Sequence, residues 1–352
     1  LNFMVKITTV AKQLPPYSRS TAEIVPFIQH WLHGQEERFQ RKVVKIFRNA
    51  GVDHRYSIIP PEEMFLPRTF AENNDRYIKG VIELSEACLT KALDKAGWVP
   101  KDVDYIITVS CTGFMIPSVD AHLINRLDMR QDIVRLPVTE MGCAAGVSGI
   151  IYAKNFLQAN PGKRAAVIAV ESPMATFQQE DFSMVNVVSA AIFGDGAACV
   201  LLSSDPDDEG PTIVHEEMYH FFDAQHMMGF ALKNSGLAMI LDQSVPDTIE
   251  AHFGDIIHPF LERAGSIIEK IDHLVFHPVG KKIVQIVEDL FGTMGKNIDD
   301  TKEVLRLYGN MSSATVLYVL ERFLERDIPK GEQGLMLSFG PGFSAQRVLL
   351  EW

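Results

Sequence analysis

The stretch Val138-Thr139-Glu140-Met141-Gly142-Cys143-Ala144-Ala145-Gly146-Val147-Ser148-Gly149 decides how the rest of the chain is read. An apolar, strand-like run, Ile133 to Val138, leads into it, and a helix-compatible run, Val147 to Leu157, leads out. Between them a cysteine has only glycine and alanine beside it. That pattern places Cys143 near the start of a helix whose small first turns allow close packing. The positive end of the helix dipole would face the sulfur, lower its pKa and favour the nucleophilic thiolate. A buried core cysteine fits the same local pattern, since free Cys is among the most buried residue types. Only the rest of the chain can separate the two.

The chain has 352 residues, about twice a typical domain. Its 47% hydrophobic content and 24 glycines suit a large-cored α/β protein rather than a disordered or fibrous one. A net charge of -12 argues against nucleic acid as the main partner, although a local basic patch could still hold a small anion. Cys88, Cys111, Cys143 and Cys199 are far apart and show no metal-binding spacing, so reduced thiols in a cytoplasmic protein and no metal are expected. Leu1 to Val10 does not read as a secretory signal, and no apolar run reaches about 18 residues, so no membrane span is expected.

Working outward, Val5 to Val10 reads as a strand, and Ser20 with Glu23 has capping-box form for a helix from Thr21. A second helix is expected from Gln35 to Ala50, ended by Gly51. Phe39, Val43 and Phe47 form one face of it, and Arg38, Arg41, Lys45 and Arg48 another. The cationic face is either ordinary solvated surface or a phosphate-binding strip. Asn73 to Ala96 reads as a helix with Cys88 in its core, Val103 to Ser110 as a buried strand, and Pro117 as the first turn of a helix to Leu127. Strands follow at Ala165 to Val170 and Ala197 to Leu202, then an acidic linker, Ser203 to Gly210. Beyond it come a strand near Thr212, helices over Asp247 to Glu269, a strand His273 to Phe276, helices Lys281 to Phe291 and Asp299 to Leu307, and a small-residue helix to about Glu325. Strands Leu335 to Ser338 and Ala345 to Leu350 finish the chain.

The two halves echo each other. Phe193-Gly-Asp-Gly precedes a strand ending Val200-Leu201-Leu202, and Phe339-Gly-Pro-Gly one ending Val348-Leu349-Leu350. Gly142-Cys143 and Gly309-Asn310 each open a small-residue helix upstream of those motifs. Duplication of one α/β unit is the reading, with halves at 1–205 and 206–352 and two central sheets with helices around and between them.

Cys143, His277 and Asn310 each fall at a strand end or helix start, where active-site groups gather in α/β folds. A thiolate needs a neighbouring cation, which a histidine supplies. An amide beside that histidine would stabilise an enolate or thioester oxyanion. Each also has a plainer explanation taken alone: core cysteine, satisfied histidine, capping asparagine.

Together the motifs resemble the type III polyketide synthases, the chalcone synthase-like superfamily. The resemblance rests on Gly142-Cys143-Ala144-Ala145-Gly146, Phe193-Gly194-Asp195-Gly196, His277-Pro278, Tyr308-Gly309-Asn310-Met311-Ser312-Ser313-Ala314 and Phe339-Gly340-Pro341-Gly342, in order along the chain. It implies a five-layered αβαβα thiolase-like fold, as a homodimer. It implies that Cys143 takes an acyl group from an acyl-CoA starter, while His277 and Asn310 stabilise the enolate from malonyl-CoA. It implies a coenzyme A site at Arg38, Arg41 and Lys45, a gate at Phe193, and cavity roles for Ser312, Gly340, Pro341 and Gly342. CoA thioesters would be substrates, with no separate cofactor.

Plant chalcone synthases carry threonine where Cys111 and Pro173 align, and phenylalanine where Met239 aligns. The chain looks more like bacterial members. An apolar, adaptable wall at Cys111 and Met239 points to a medium or long aliphatic starter and a pyrone or resorcinol-type product. Two other readings stand beside this one. A ketoacyl-ACP synthase III-like enzyme shares the triad types but usually has His-Gln-Ala-Asn where this chain has His277-Pro278-Val279-Gly280. A non-catalytic thiolase-fold subunit would lack the cysteine.

Overall fold

A computed structural model describes residues 4–292 and 295–352. The first half contains β1 (Lys6–Gln13), β2 (Tyr17–Ser20), α1 (Thr21–Trp31), α2 (Glu37–Asn49), β3 (His54–Ser57), α3 (Pro61–Met64), α4 (Phe70–Ala96) and β4 (Tyr105–Val109). It continues through α5 (Val119–Arg126), β5 (Val134–Val138), α6 (Ala145–Ala159), β6 (Arg164–Glu171), α7 (Met184–Ile192) and β7 (Gly196–Ser203). The second half contains β8 (Thr212–His220), β9 (Met228–Lys233), β10 (Gly236–Leu241), α8 (Val245–Arg263) and β11 (Ile271–Phe276). It ends with α9 (Lys281–Gly292), α10 (Asp299–Tyr308), α11 (Thr315–Leu324), β12 (Gln333–Gly340) and β13 (Ser344–Glu351).

Local signals account for most boundaries. The Ser20–Glu23 capping box opens α1 as expected, and Gly51 follows α2 at φ +79°. A second capping box, Thr69 with Glu72, starts α4 three residues before the expected Asn73. The expected Asp247 to Glu269 segment is one helix to Arg263 and then a 3-10 turn at Ile268–Lys270.

The two expected sheets are joined. Nine strands run β11-β12-β13-β8-β1-β7-β6-β4-β5. In the first half β4 is parallel to β6, β6 antiparallel to β7, and β7 antiparallel to β1. In the second half β11, β12, β13 and β8 repeat those relations in the same order. The half-sheets meet where β1 touches β8 at one register pair, Lys6 with Thr212. The duplicated topology is therefore present, but the sheet is continuous.

Strand alternation then sorts residues into layers. Ile106, Ile168 and Leu201 face α4, packing with Cys88 and Leu89, whereas Ile107, Val167 and Val200 face α6 and α11. Those two helices lie between the half-sheets, in one apolar cluster with Met336 and Val348 of the second half. Outside the second half-sheet, α8 and α9 join α1, α2 and α7 in another cluster. The order is helix, sheet, helix, sheet, helix. Cys88 and Cys199 are core residues of the outer layer, as the sequence suggests for Cys88.

Candidate active site

The central helices bring small-residue turns from both halves together. Gly142, Cys143 and Ala144 form a 3-10 turn leading into α6, and Ser312, Ser313 and Ala314 form its counterpart leading into α11. Gly142 has φ +51°, and a side chain there would start 2.6 Å from Pro341 Cδ. Gly340 is equally constrained: a Cβ would lie 2.6 Å from that of Ala144. The Phe339-Gly-Pro-Gly segment therefore packs against the cysteine turn and needs its glycines to do so.

Cys143 is 8% exposed, at the wall of a cavity with about 520 Å³ of empty space, counting its open mouth. Its thiol donates to Ser312 Oγ at 3.6 Å, and Ser338 Oγ donates to its carbonyl oxygen at 2.9 Å. Asn310 also lines the cavity. Its Oδ1 accepts from Ser312 N at 2.8 Å and its Nδ2 donates to Val279 O at 3.1 Å. An amide nitrogen has two hydrogens, so one remains for a ligand. His277 follows β11 directly and is fully buried. Its backbone N donates to Leu337 O, one residue before the Ser338 that holds Cys143. Both its ring nitrogens are buried without a partner among the described residues.

The electrostatics differ from expectation. Burial pushes the Cys143 thiol up to about 12 and holds the His277 imidazole down to about 3. The helix start does not offset desolvation here, because the turn is fully enclosed. The substrate-free pair is a neutral thiol and a neutral imidazole, not the thiolate beside a cation that the residue types suggested. An imidazole held that low is a weak base in the substrate-free site, so proton transfer from the thiol has to be driven by bound substrate.

Other expected residues fall as follows. Cys111, Phe193, Met239, Ser312 and Pro341 line the cavity, whereas Gly340 and Gly342 shape the neighbouring loop. Arg38, Arg41 and Lys45 share the exposed face of α2, where Arg41 pairs with Glu37 at 2.9 Å. Arg41, Lys45 and Asn49 border a surface groove. Asn49 also borders an apolar channel whose inner wall, Ile192, Leu241 and Val279, is shared with the cavity. The channel and the cavity are therefore neighbours across these three side chains.

Three features escaped the sequence reading. The β9–β10 hairpin supplies Met228, Phe230, Met239 and Leu241 to the cavity, with Phe230 directly opposite Met239 in register. Its signal was Asn234-Ser235-Gly236 between two apolar runs. Glu171, fully buried behind Cys111, accepts from Cys111 N at 3.0 Å, Thr112 Oγ1 at 2.9 Å and Ser313 Oγ at 2.6 Å. Burial raises its pKa. Asp195, raised to about 6 by burial, accepts from Ile58 N, Met174 N and Ser172 Oγ, and so ties together the loops that carry Pro173 and Phe193.

Comparison with known proteins shows what the whole chain is similar to. Residues 47–206 match the model of the N-terminal domain of chalcone and stilbene synthases, and residues 214–351 that of the C-terminal domain. A 1,3,6,8-tetrahydroxynaphthalene synthase of Streptomyces peucetius is 32% identical, over 98% of this chain and 93% of its own length. A phloroglucinol synthase of Pseudomonas fluorescens is 27% identical over 96% of both chains. The crystal structure of the tetrahydroxynaphthalene synthase from Streptomyces coelicolor, a bacterial type III polyketide synthase, superposes with a TM-score of 0.92 at 27% identity, covering 99% of each chain.

Proposed function

This chain belongs to the chalcone and stilbene synthase family of type III polyketide synthases, and from that membership we propose that Cys143, His277 and Asn310 are its catalytic residues. Cys143 attacks the carbonyl of an acyl-CoA starter, its proton passing to the neutral imidazole of His277 and then to the departing CoA thiolate. Malonyl-CoA loses CO2, and the enolate oxygen is held by the free Asn310 N–H and the N–H of the neutral His277 imidazole. The enolate carbon attacks the carbonyl of the Cys143 thioester and expels the Cys143 thiolate, leaving a β-ketoacyl-CoA two carbons longer; the thiolate attacks that thioester in the next round, and the CoA thiolate it displaces takes a proton from solvent. The observation that carries this reading is the pair of ring nitrogens on a fully buried His277 that have no partner among the described residues, on a strand end bonded to Leu337, the residue before the Ser338 that holds the Cys143 carbonyl.

The starter we infer is a medium or long aliphatic acyl-CoA, cyclised after extension to a pyrone or resorcinol-type product. The lining supports this: Ile192, Met228, Phe230, Met239, Leu241 and Val279 are apolar. The Thr112 hydroxyl is already committed to Glu171 and to Ser172 N. Coenzyme A would enter through the apolar channel with its phosphates on Arg38, Arg41 and Lys45. Mass spectrometry of products from malonyl-CoA with a series of acyl-CoA starters tests the reading.

We also propose a homodimer formed along β5, with the chain's halves at 1–205 and 206–352. Among the described residues β5 is a sheet edge paired only with β4, and its Val134 is exposed. Arg135 of β5 donates to Ser118 Oγ, and Ile116, two residues before that serine, is fully exposed. An unpaired edge beside apolar side chains is a template for a second copy. Among the described residues no helix is long and apolar enough to cross a membrane. Four free thiols and CoA substrates favour the cytoplasm.

A further inference from the structure

Arg55 of β3 is 3% exposed and makes no ion pair with a carboxylate among the described residues. A buried guanidinium without a counter-ion is unfavourable, so its contacts need an explanation. Nη2 donates to Ala191 O at 2.7 Å, and Nη1 donates to Thr21 Oγ1 at 3.2 Å. The guanidinium lies 5.7 Å from the centroid of Phe47, on the inner face of α2. Nε is buried without a partner among the described residues. Burial alone pulls its pKa down to about 10, so it stays charged at neutral pH. Ala191 belongs to the last turn of α7, where unsatisfied carbonyls favour a cation.

The residues just past that carbonyl are the ones the chemistry needs. Ile192 O accepts from Asn310 N at 2.7 Å, and Gly194 N donates to Asn310 O at 3.0 Å, with Phe193 and Asn310 paired as a parallel bridge. Tyr56 O, next to Arg55, accepts from Asp195 N at 2.8 Å. A side chain on Gly309 would start 2.8 Å from Ile192 O, so the two segments touch directly. The strip 192–195 is therefore held on one side by β3 and carries the backbone of Asn310 on the other. We propose that Arg55 is a positioning residue: by clamping the end of α7 at Ala191 it sets the Asn310 amide for enolate stabilisation. The same clamp rests on Phe47, which links the cation-bearing helix α2 to the gate at Phe193.

This rests on the role given to Asn310, and the test separates the two. Arg55→Met, Arg55→Lys, Asn310→Ala and the natural enzyme are compared for acylation of Cys143 by an acyl-CoA and for CO2 release from malonyl-CoA alone, below the melting temperature of each. A general loss of folded protein lowers both rates together. A misplaced amide lowers CO2 release selectively, since errors near 1 Å can cost on the order of 10²-fold. Arg55→Met is expected to lose about tenfold or more in CO2 release relative to acylation. Arg55→Lys keeps the charge but has no planar fork to span Ala191 and Thr21. It is expected to lose severalfold in the same ratio, and it answers the question if the methionine variant does not fold. A natural ratio in Arg55→Lys beside a deficient Asn310→Ala overturns the Arg55 inference alone. Normal CO2 release by Asn310→Ala overturns the role of Asn310, and the Arg55 inference with it.

Discussion

Ser312 accepts a hydrogen bond from the Cys143 thiol across 3.6 Å, and the two residues come from opposite halves of the chain. Ser312 holds a left-handed φ of +51°, which a non-glycine residue adopts only under local constraint. The constraint is visible: its N–H is fixed by Asn310 Oδ1 at 2.8 Å. The proposed nucleophile of one half thus meets a strained turn of the other, and the proposed site lies at their junction. Cys143→Ala should abolish covalent loading and all product. Cys88→Ala, on the buried face of α4 in the outer layer, should alter stability by ~1 kcal/mol and leave the products unchanged. Intact-protein mass spectrometry after acyl-CoA treatment checks both, and condensation by Cys143→Ala would refute the nucleophile.

Much of this was legible in advance for a physical reason. Gly142, Gly309 and Gly340 are forced by close approach, so the residues that make the site also punctuate the sequence. Cys143, Asn310 and the Phe339-Gly-Pro-Gly loop could be placed from them. What could not be read was anything depending on enclosure. The helix-start argument for a low cysteine pKa uses only neighbours in sequence, whereas desolvation by both half-sheets dominates at Cys143. Glu171, just past the strand read at Ala165 to Val170, carries no local signal, because its donors come from residues 110–112 and 313, far away in sequence. Phe230 and Met228 were missed with their hairpin.

Asn310→Ala should still load acyl groups on Cys143 but lose CO2 release from malonyl-CoA by about 10²–10³-fold, the usual effect of removing one oxyanion donor. Its Nδ2 bond to Val279 O fixes the amide orientation, so Asn310→Asp, which replaces that donor by an acceptor, should be similarly deficient. Radiolabelled malonyl-CoA measures the step directly. Undiminished decarboxylation would remove Asn310 from the chemistry.

The His277 imidazole, held to about 3 by burial, should make stability depend on acid. Its ordinary value is about 6.5. Below that pH the unfolded chain takes up a proton that the folded chain refuses. The stability His277 contributes is complete above about pH 6.5 and is lost as pH falls toward 3. Asp195 runs the other way: raised to about 6, it contributes stability below its unfolded value that is lost as pH rises through 6. Comparing the natural enzyme with His277→Gln cancels Asp195. Between pH 7 and 5 the natural enzyme should lose about 2 kcal/mol relative to the variant in urea titrations. A constant difference across that range would put the imidazole near its ordinary pKa.

The cations of α2 should matter only for substrates that carry phosphates. Arg38 and Lys45 form no ion pair among the described residues, and Arg41 has only an exposed pair with Glu37, worth little in water. Replacing Arg38, Arg41 and Lys45 by alanine should raise KM for CoA thioesters severalfold to tenfold, more at low salt than at high. N-acetylcysteamine thioesters lack the phosphates and should be turned over as before. Equal losses on both substrate types would make the face ordinary solvated surface.

The starter preference turns on the facing pair Phe230 and Met239. Met239 offers an unbranched, adaptable thioether, and Cys111 a thiol where plant enzymes place a hydroxyl. Each further methylene buried against such a wall contributes about 0.8 kcal/mol, close to fourfold in kcat/KM, until the space is filled. Phe230 sets that limit, because its ring stands on the same inner face of the hairpin. In a series from acetyl-CoA to palmitoyl-CoA, kcat/KM should rise with length, level off, and level off later in Phe230→Ala. Met239→Phe should shorten the optimum by filling the same space from the opposite strand. Both are wall residues of one hairpin, so Phe230→Ala with Met239→Phe should lie between the single variants rather than at their sum. A preference for p-coumaroyl-CoA, or for malonyl-CoA as its own starter, would sink the aliphatic reading and leave the family and the catalytic residues untouched.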